Sequence, residues 1–307
     1  MKFTLVWLVE PRLYSRGETM KLRPYLELSR PFTAIFPFFA VLFGGLAGAL
    51  KSGVSPSFTI ILLAALAMTF AQMFGQVTNQ LADPPELDKL NGKLRPIVRG
   101  DITESEATNF VVVLLILTYI FARLVSEVYT FYMTLLVISI LVYNFEPIRL
   151  KRRFMLNNLV LAFSRGFVPF IASYTLFSHL DKEAVLLAIG IAIWVFGWQT
   201  TKDIPDIEGD RKFGIRTIPV VLGAKTYHFI AVSSGLFVTY HLLLSKVIST
   251  AILITMVFVP YTIFSLKHIN DERKIIKGEN KFGWVAFYVG IVLYYLVVFI
   301  SNLTSPL

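Results

Sequence analysis

The sequence predicts an all-α integral membrane protein: nine transmembrane helices around a central cavity, with cytoplasmic cap loops after helices 2 and 6. Three observations carry this. The 307 residues are 55% hydrophobic and only 16% charged, against roughly 25% charged in soluble domains, which leaves too little polar surface for a water-soluble chain of this length. The apolar residues gather into nine runs near the length that crosses a bilayer. The basic residues gather on every second connection between those runs. The mean hydropathy of +0.66 agrees with all three. The net charge of +9 therefore reads as membrane topology rather than nucleic-acid binding. With no cysteine, disulfides and thiolate metal sites are excluded.

Residues 1–29 form an amino-terminal extension. Its apolar stretch, residues 3–9, is only seven residues long, too short for a signal peptide. It is expected to lie on the membrane surface or stay disordered. Residues 1–19 are expected to be dispensable, with Met20 a second candidate start. Residues 30–307 form one transmembrane domain.

The runs, in order, are 31–50, 52–82, 108–122, 128–145, 154–177, 184–201, 226–245, 247–266 and 282–303. A span needs about 20 residues, within a range of about 17–25. The second run is long enough to tilt or project beyond the bilayer. The third is short and extends through Arg123. In the first, Gly44, Gly45 and Gly48 give a small face for helix packing. In the fifth, Arg165 is the one ionisable residue well inside a span, a position that usually faces a cavity or a partner. Contact with a bound substrate, donor or acceptor, and a structural bond to a backbone carbonyl are both open for it. Helices are the default, since lipid-exposed backbone must satisfy its own hydrogen bonds.

The amino-terminal segment and the connections after helices 2, 4, 6 and 8 hold 24 of the 29 Lys and Arg. The connections after helices 1, 3, 5 and 7 hold four: Lys51, Arg123, Lys182 and Lys246. Basic loops stay in the cytoplasm, so the amino terminus is inside and the carboxyl terminus outside.

Two of the cytoplasmic loops are also acidic. After helix 2 come Asp83, Glu86, Asp88, Asp101, Glu104 and Glu106; after helix 6 come Asp203, Asp206, Glu208 and Asp210. Each loop runs from carboxylates at a helix end to Lys and Arg and then Gly. Asp83 and Asp203 are 120 residues apart, and Arg95 and Arg216 are 121 apart, which suggests an internal duplication. Carboxylates without nearby His or Cys are hard oxygen ligands that suit Mg²⁺. The cations beside them suit phosphate. One acidic loop alone would read as a solvated surface. Two in matched order at the membrane surface point to a lipid diphosphate held between metal and cations. The four histidines, His179, His228, His241 and His268, show no metal-ligand spacing.

Three stretches in order resemble the UbiA superfamily of intramembrane prenyltransferases. They are Asn79, Asp83 and Asp88 with Arg95-Pro96 after them; LVYNFEPIRLKRRFMLNNLV around the end of helix 4; and KDIPDIEGDRKFGIRTIPVVLG after helix 6. The first departs from the family's Asn-x3-Asp-x3-Asp by one residue. Because Pro84-Pro85 breaks the helix, the ligands beyond Asp83 are expected on irregular backbone, with Glu86 and Asp88 both open as the third.

The resemblance implies transfer of an isoprenoid chain from an allylic polyprenyl diphosphate to a lipophilic acceptor. It implies Mg²⁺ as cofactor, two ions, with Mn²⁺ able to substitute. Metal ligands would be Asn79, Asp83, Glu86, Asp88, Asp203, Asp206 and Asp210. Diphosphate binding would fall to Asn79, Lys93, Arg95, Lys151, Lys202, Arg211, Lys212 and Arg216. Catalytic roles would fall to Asp83, Asp203, Tyr143 and Arg165, with Tyr143 and Tyr174 as aromatic faces for a developing allylic cation. The acceptor expected first is an aromatic, quinone-type precursor; the alternative is geranylgeranylglyceryl phosphate. A different class, a cation-coupled transporter, fits poorly, because every intramembrane position except Arg165 is uncharged. The implied partners are the diphosphate donor, the acceptor and the bilayer, with no nucleic acid. The oligomeric state stays open.

Overall fold

The computed structural model describes residues 22–244, 248–269 and 281–304. Residues 1–19, expected to be dispensable, lie outside the described residues, as does Lys246. The regular structure of the described residues is helical: α1 (Leu22–Ser29), α2 (Pro31–Lys51), α3 (Phe58–Ala82), α4 (Pro85–Leu90), α5 (Pro96–Arg99), α6 (Glu104–Val125), α7 (Glu127–Asn144), α8 (Leu156–Ala162), α9 (Val168–Tyr174), α10 (Lys182–Trp198), α11 (Thr200–Asp203), α12 (Ile207–Lys212), α13 (Ile218–Leu222), α14 (Thr226–Leu244), α15 (Ile248–Ile269) and α16 (Lys281–Thr304).

Among the described residues, eight helices are long and apolar enough to cross a membrane. The fifth run of the sequence is not one of them as a single helix. A π turn, Phe163–Phe167, splits it into α8 and α9. π turns tend to occur where a helix serves a site, and Arg165 sits on this one.

Several helix starts are written locally. Ser57 caps α3 by accepting from the Ile60 amide, and Ser126 caps α7 by accepting from the Tyr129 amide. Thr103 and Glu106 close a capping box at the start of α6. Asp181 caps α10 by accepting from the Ala184 amide at 2.7 Å. At the other end of α3 the residue before Pro84 cannot stay helical, so Asp83 is extended (φ −95°, ψ 135°). The chain then re-enters a helix at once, because Pro85 suits the first helical position. Glu86 and Asp88 therefore sit on α4, not on the irregular backbone expected of them.

The spans close around a cavity. α2 packs against α3, α9 and α16; α3 packs against α6 and α7; α10 packs against α8 and α14. One apolar core, built on Trp194, Trp198, Phe237 and Phe258, joins α10 to the last three helices. Another, rich in alanine, joins α2, α3 and α7 to α9. Gly48 lets α2 touch α9, since a Cβ there would fall 2.0 Å from the Tyr174 carbonyl oxygen. Tyr174 is fully buried in this packing and does not line the cavity. Short α1, the end of the sequence's amino-terminal extension, lies on α3 and α5. Its Leu28 is completely buried and its Leu28 carbonyl accepts from Gln80.

Candidate active site

The two acidic segments meet beside the end of the cavity that Asn79 and Lys202 line. Asn91, just after α4, accepts from the Gly209 amide of α12 at 2.9 Å. Gly209 must be glycine for this approach, as a Cβ would strike Asn91 at 2.2 Å. Lys93 pairs with Asp206 across the same junction. The loops after helices 2 and 6, 118 residues apart at this contact, thus form one polar surface.

Each inward carboxylate on this surface has a basic, amide or hydroxyl partner. Asp83 pairs with Lys151 and with Arg149 Nη2 at 3.3 Å. Asp88 pairs with Arg95 at 2.9 Å. Asp203 accepts from Asn157 Nδ2 at 2.7 Å, with Lys202 at 3.8 Å. Asp210 accepts from the Thr217 hydroxyl at 3.4 Å. Burial pushes the Asp88 carboxyl up from its ordinary value, against the pull of Arg95 and Lys93. Burial likewise pushes the Lys151 ammonium down, against the pull of Asp83. These are charges held out of water, which is expensive unless paired.

Asn79 lies one turn before Asp83 and donates to Asn144 Oδ1 at 2.9 Å, leaving its own carbonyl oxygen as its remaining polar atom. Tyr143 lies within electrostatic range of Asp83, Asp203, Asp210 and Arg165, with Lys202 Nζ 6.0 Å from its ring centre. Asn79, Tyr143, Arg165 and Lys202 all line the cavity, which holds about 980 Å³ of empty space, its open mouth included. Below them the walls turn apolar, with Met68, Ala71, Leu136 and Ile291. That gradient suits a ligand with a charged head and a hydrocarbon tail.

Other expected residues stand apart. Glu86 is exposed while Asp88 on the same short helix is 4% exposed. Arg211, Lys212 and Arg216 are exposed and form no ion pair among the described residues. Arg216 contributes its backbone amide instead, donating to the Arg152 carbonyl at 3.0 Å. Sequence reasoning missed Arg149, Asn157 and Arg30. The first two lie inside the stretch LVYNFEPIRLKRRFMLNNLV, where the run of cations and paired asparagines was the available signal. Arg30 reads in the sequence as a membrane anchor. In the fold it donates to Gln76 Oε1 at 3.2 Å from a left-handed backbone (φ 51°).

A divalent cation can be tested against these donors. All are oxygens, the right chemistry for Mg²⁺. Among the described residues, however, no three acidic or histidine side chains stand close enough to hold a metal as placed. Lys151 and Lys93 cover the Asp83 and Asp206 oxygens instead. The donor chemistry suits a divalent cation, and binding one would require those ammonium groups to give way.

A bundle of helices long and apolar enough to cross a membrane, around a cavity with charged and apolar walls, is an arrangement that a membrane prenyltransferase requires. Residues 38–291 match the UbiA prenyltransferase family, and the chain belongs to that family. Over 284 residues it is 29% identical to the digeranylgeranylglyceryl phosphate synthase of Methanobrevibacter smithii, covering 88% of this chain and 98% of that one. It is 28% identical to the chloroplastic chlorophyll synthase of Arabidopsis thaliana, covering 82% of this chain and 68% of that one. The solved structure of a UbiA homologue from Archaeoglobus fulgidus, bound to GPP and Mg²⁺, superposes with a TM-score of 0.68 at 20% identity. That match covers 90% of this chain and 99% of the other.

Proposed function

We infer that this prenyltransferase takes a geranylgeranyl-type diphosphate as donor and geranylgeranylglyceryl phosphate as acceptor. The acceptor is the alternative of the sequence reading, and it displaces the aromatic, quinone-type precursor expected first. The observation that carries it is the full-length similarity to a digeranylgeranylglyceryl phosphate synthase, in a chain whose cavity has basic groups to spare.

Asn79, Asp83, Asp88, Asp203, Asp206 and Asp210 would hold two Mg²⁺, with Asp88 rather than the exposed Glu86 as third ligand of the first set. A metal held there would supply positive charge against the charge developing on the departing diphosphate. Lys93, Arg95, Arg149, Lys151 and Lys202 bind the diphosphate oxygens, the lysines swinging to them from the carboxylates they now cover. The acceptor's free glycerol hydroxyl attacks the allylic carbon. Its oxygen forms the new C–O bond, its proton passes to the diphosphate, and the allylic C–O bond breaks with its electron pair leaving on the diphosphate. The apolar walls keep water from the electron-poor carbon, and Tyr143 offers it a π face worth about 0.5–2 kcal/mol.

Purified protein with labelled geranylgeranyl diphosphate, Mg²⁺ and a panel of acceptors tests this. Geranylgeranylglyceryl phosphate should be alkylated far faster than phenolic acids or chlorophyllide. Preference for a phenolic ring would restore the aromatic reading, and no transfer to any acceptor would sink both.

A further inference from the structure

Arg165 is a cavity-lining cation that the diphosphate chemistry above does not use. It lies on the π turn between α8 and α9 and lines the cavity. Gly166 beside it lets this turn press on α10, since a Cβ there would meet the Ala192 Cα at 2.8 Å. The guanidinium has no carboxylate within ion-pair distance among the described residues. Arg165 Nη1 donates instead to Gln199 Oε1 at 3.0 Å and to the Tyr288 hydroxyl at 3.3 Å. Gln199 is fully buried, and its Nε2 finds no partner among the described residues. A charge held inside a membrane span by two neutral oxygens is costly, and a bound anion would offset it.

The level of this charge separates it from the mouth. Gln199 precedes Asp203 by four residues, about 6 Å along a helix. Asn157, which contacts Asp203, precedes Arg165 by eight residues, about two turns. Arg165 is thus deeper than the cations that face the carboxylates. The attacking oxygen must also approach the allylic carbon from the side away from the diphosphate. A glyceryl phosphate acceptor carries its phosphate a few bonds from its free hydroxyl, so that phosphate needs a cation below the donor's.

We propose that Arg165, positioned by Gln199 and Tyr288, is the anion subsite for the acceptor's phosphate and so fixes the acceptor hydroxyl opposite the diphosphate. This rests on the acceptor reading above, and the headgroup fragment glycerol 1-phosphate separates the two. In the wild-type protein it should inhibit transfer competitively against the acceptor and not against the donor. Arg165→Gln should weaken that inhibition and raise the acceptor's KM by about tenfold or more, the scale of one charge-assisted hydrogen bond. The donor's KM should stay within about twofold, well under the 1.4 kcal/mol that a tenfold change represents. Arg165→Lys, which keeps the charge, should recover part of the loss. An unchanged melting temperature in detergent shows that each variant folds.

Absence of competition in the wild type overturns the subsite. So does inhibition that is unchanged in Arg165→Gln, or a rise in the donor's KM alone, which would assign the arginine to the diphosphate. If an aromatic acceptor is preferred and glycerol 1-phosphate still competes through Arg165, the acceptor reading falls and the subsite stands.

Discussion

Asp83 and Asp203 sit at equivalent points, each at the cytoplasm-facing end of a long helix by the charge pattern, each already matched to a nitrogen donor. Replacing either with Ala should abolish transfer, because each would remove a metal and diphosphate anchor together. Expression should survive, since both carboxylates stand at helix ends. Activity above about a tenth of wild type in both variants, a barrier change of only about 1.4 kcal/mol, would end the two-site reading. The pair Glu86 and Asp88 gives a sharper contrast. Asp88→Asn should cost activity by about a hundredfold, on the scale of losing one ligand that holds transition-state charge. Glu86→Gln should leave turnover near wild type, measured on the same membranes. Reversal of that order would move the third ligand to the exposed residue. Much at this scale was legible in the sequence: Asn79, Tyr143, Lys202 and both lead aspartates reach the cavity or its mouth. Arg211, Lys212 and Arg216 do not, because a basic run tells that cations are present but not which face of short α12, or of the turn after it, they occupy. Arg30 stayed hidden because a cation before the first span looks like any other topology signal until the fold brings Gln76 beside it.

At the scale of elements, the sequence marks the breaks but not the shape of the chain beyond them. Pro84-Pro85 ends α3 as expected, yet the second proline starts α4 and so fixes which of Glu86 and Asp88 turns inward. The fifth apolar run reads as one span, and nothing in its hydropathy announces the π turn that carries Arg165. The glycines of helix 1 were legible as a packing face, and Gly48 gives the test. Gly48→Ala would push a Cβ into the Tyr174 carbonyl, a backbone atom that cannot rotate away. α2 and α9 must part, at the overpacking cost of about 1–3 kcal/mol. A thermal melt in detergent should drop by several degrees. Gly235→Ala on α14 is the matched control: no atom lies within 4 Å of its added Cβ, and alanine is the better helix former. Its melting temperature should hold or rise. Equal losses in both variants would show that backbone flexibility, and not the α2–α9 contact, sets the cost.

For the whole molecule, the direction of the cavity mouth decides where the water-soluble diphosphate must leave. By the rule that basic loops stay inside, the 24-to-4 distribution of Lys and Arg is expected to put the mouth in the cytoplasm. The folded chain gathers Asp83, Asp88, Asp203, Asp206, Arg149 and Lys151 at one end, while the opposite end carries the ion pairs Lys51–Glu183 at 2.8 Å and Arg123–Glu127 at 3.1 Å. A chain without cysteine allows a direct test. Leu94→Cys lies at an exposed position between α4 and α5, Lys212→Cys is exposed at the end of α12, and Ser52→Cys is exposed just after α2. Leu94 makes a good reporter because its side chain is 67% exposed and outside the set of residues placed on substrate. In intact cells, a membrane-impermeant maleimide should label Ser52→Cys alone. After permeabilisation it should label all three. The charge rule counts short loops near the span ends, and all the loops concerned are short, so the expectation applies without correction for translocated domains. Labelling of Leu94→Cys and Lys212→Cys from outside, with Ser52→Cys protected until the membrane is opened, would invert the molecule and place product diphosphate on the far side of the membrane.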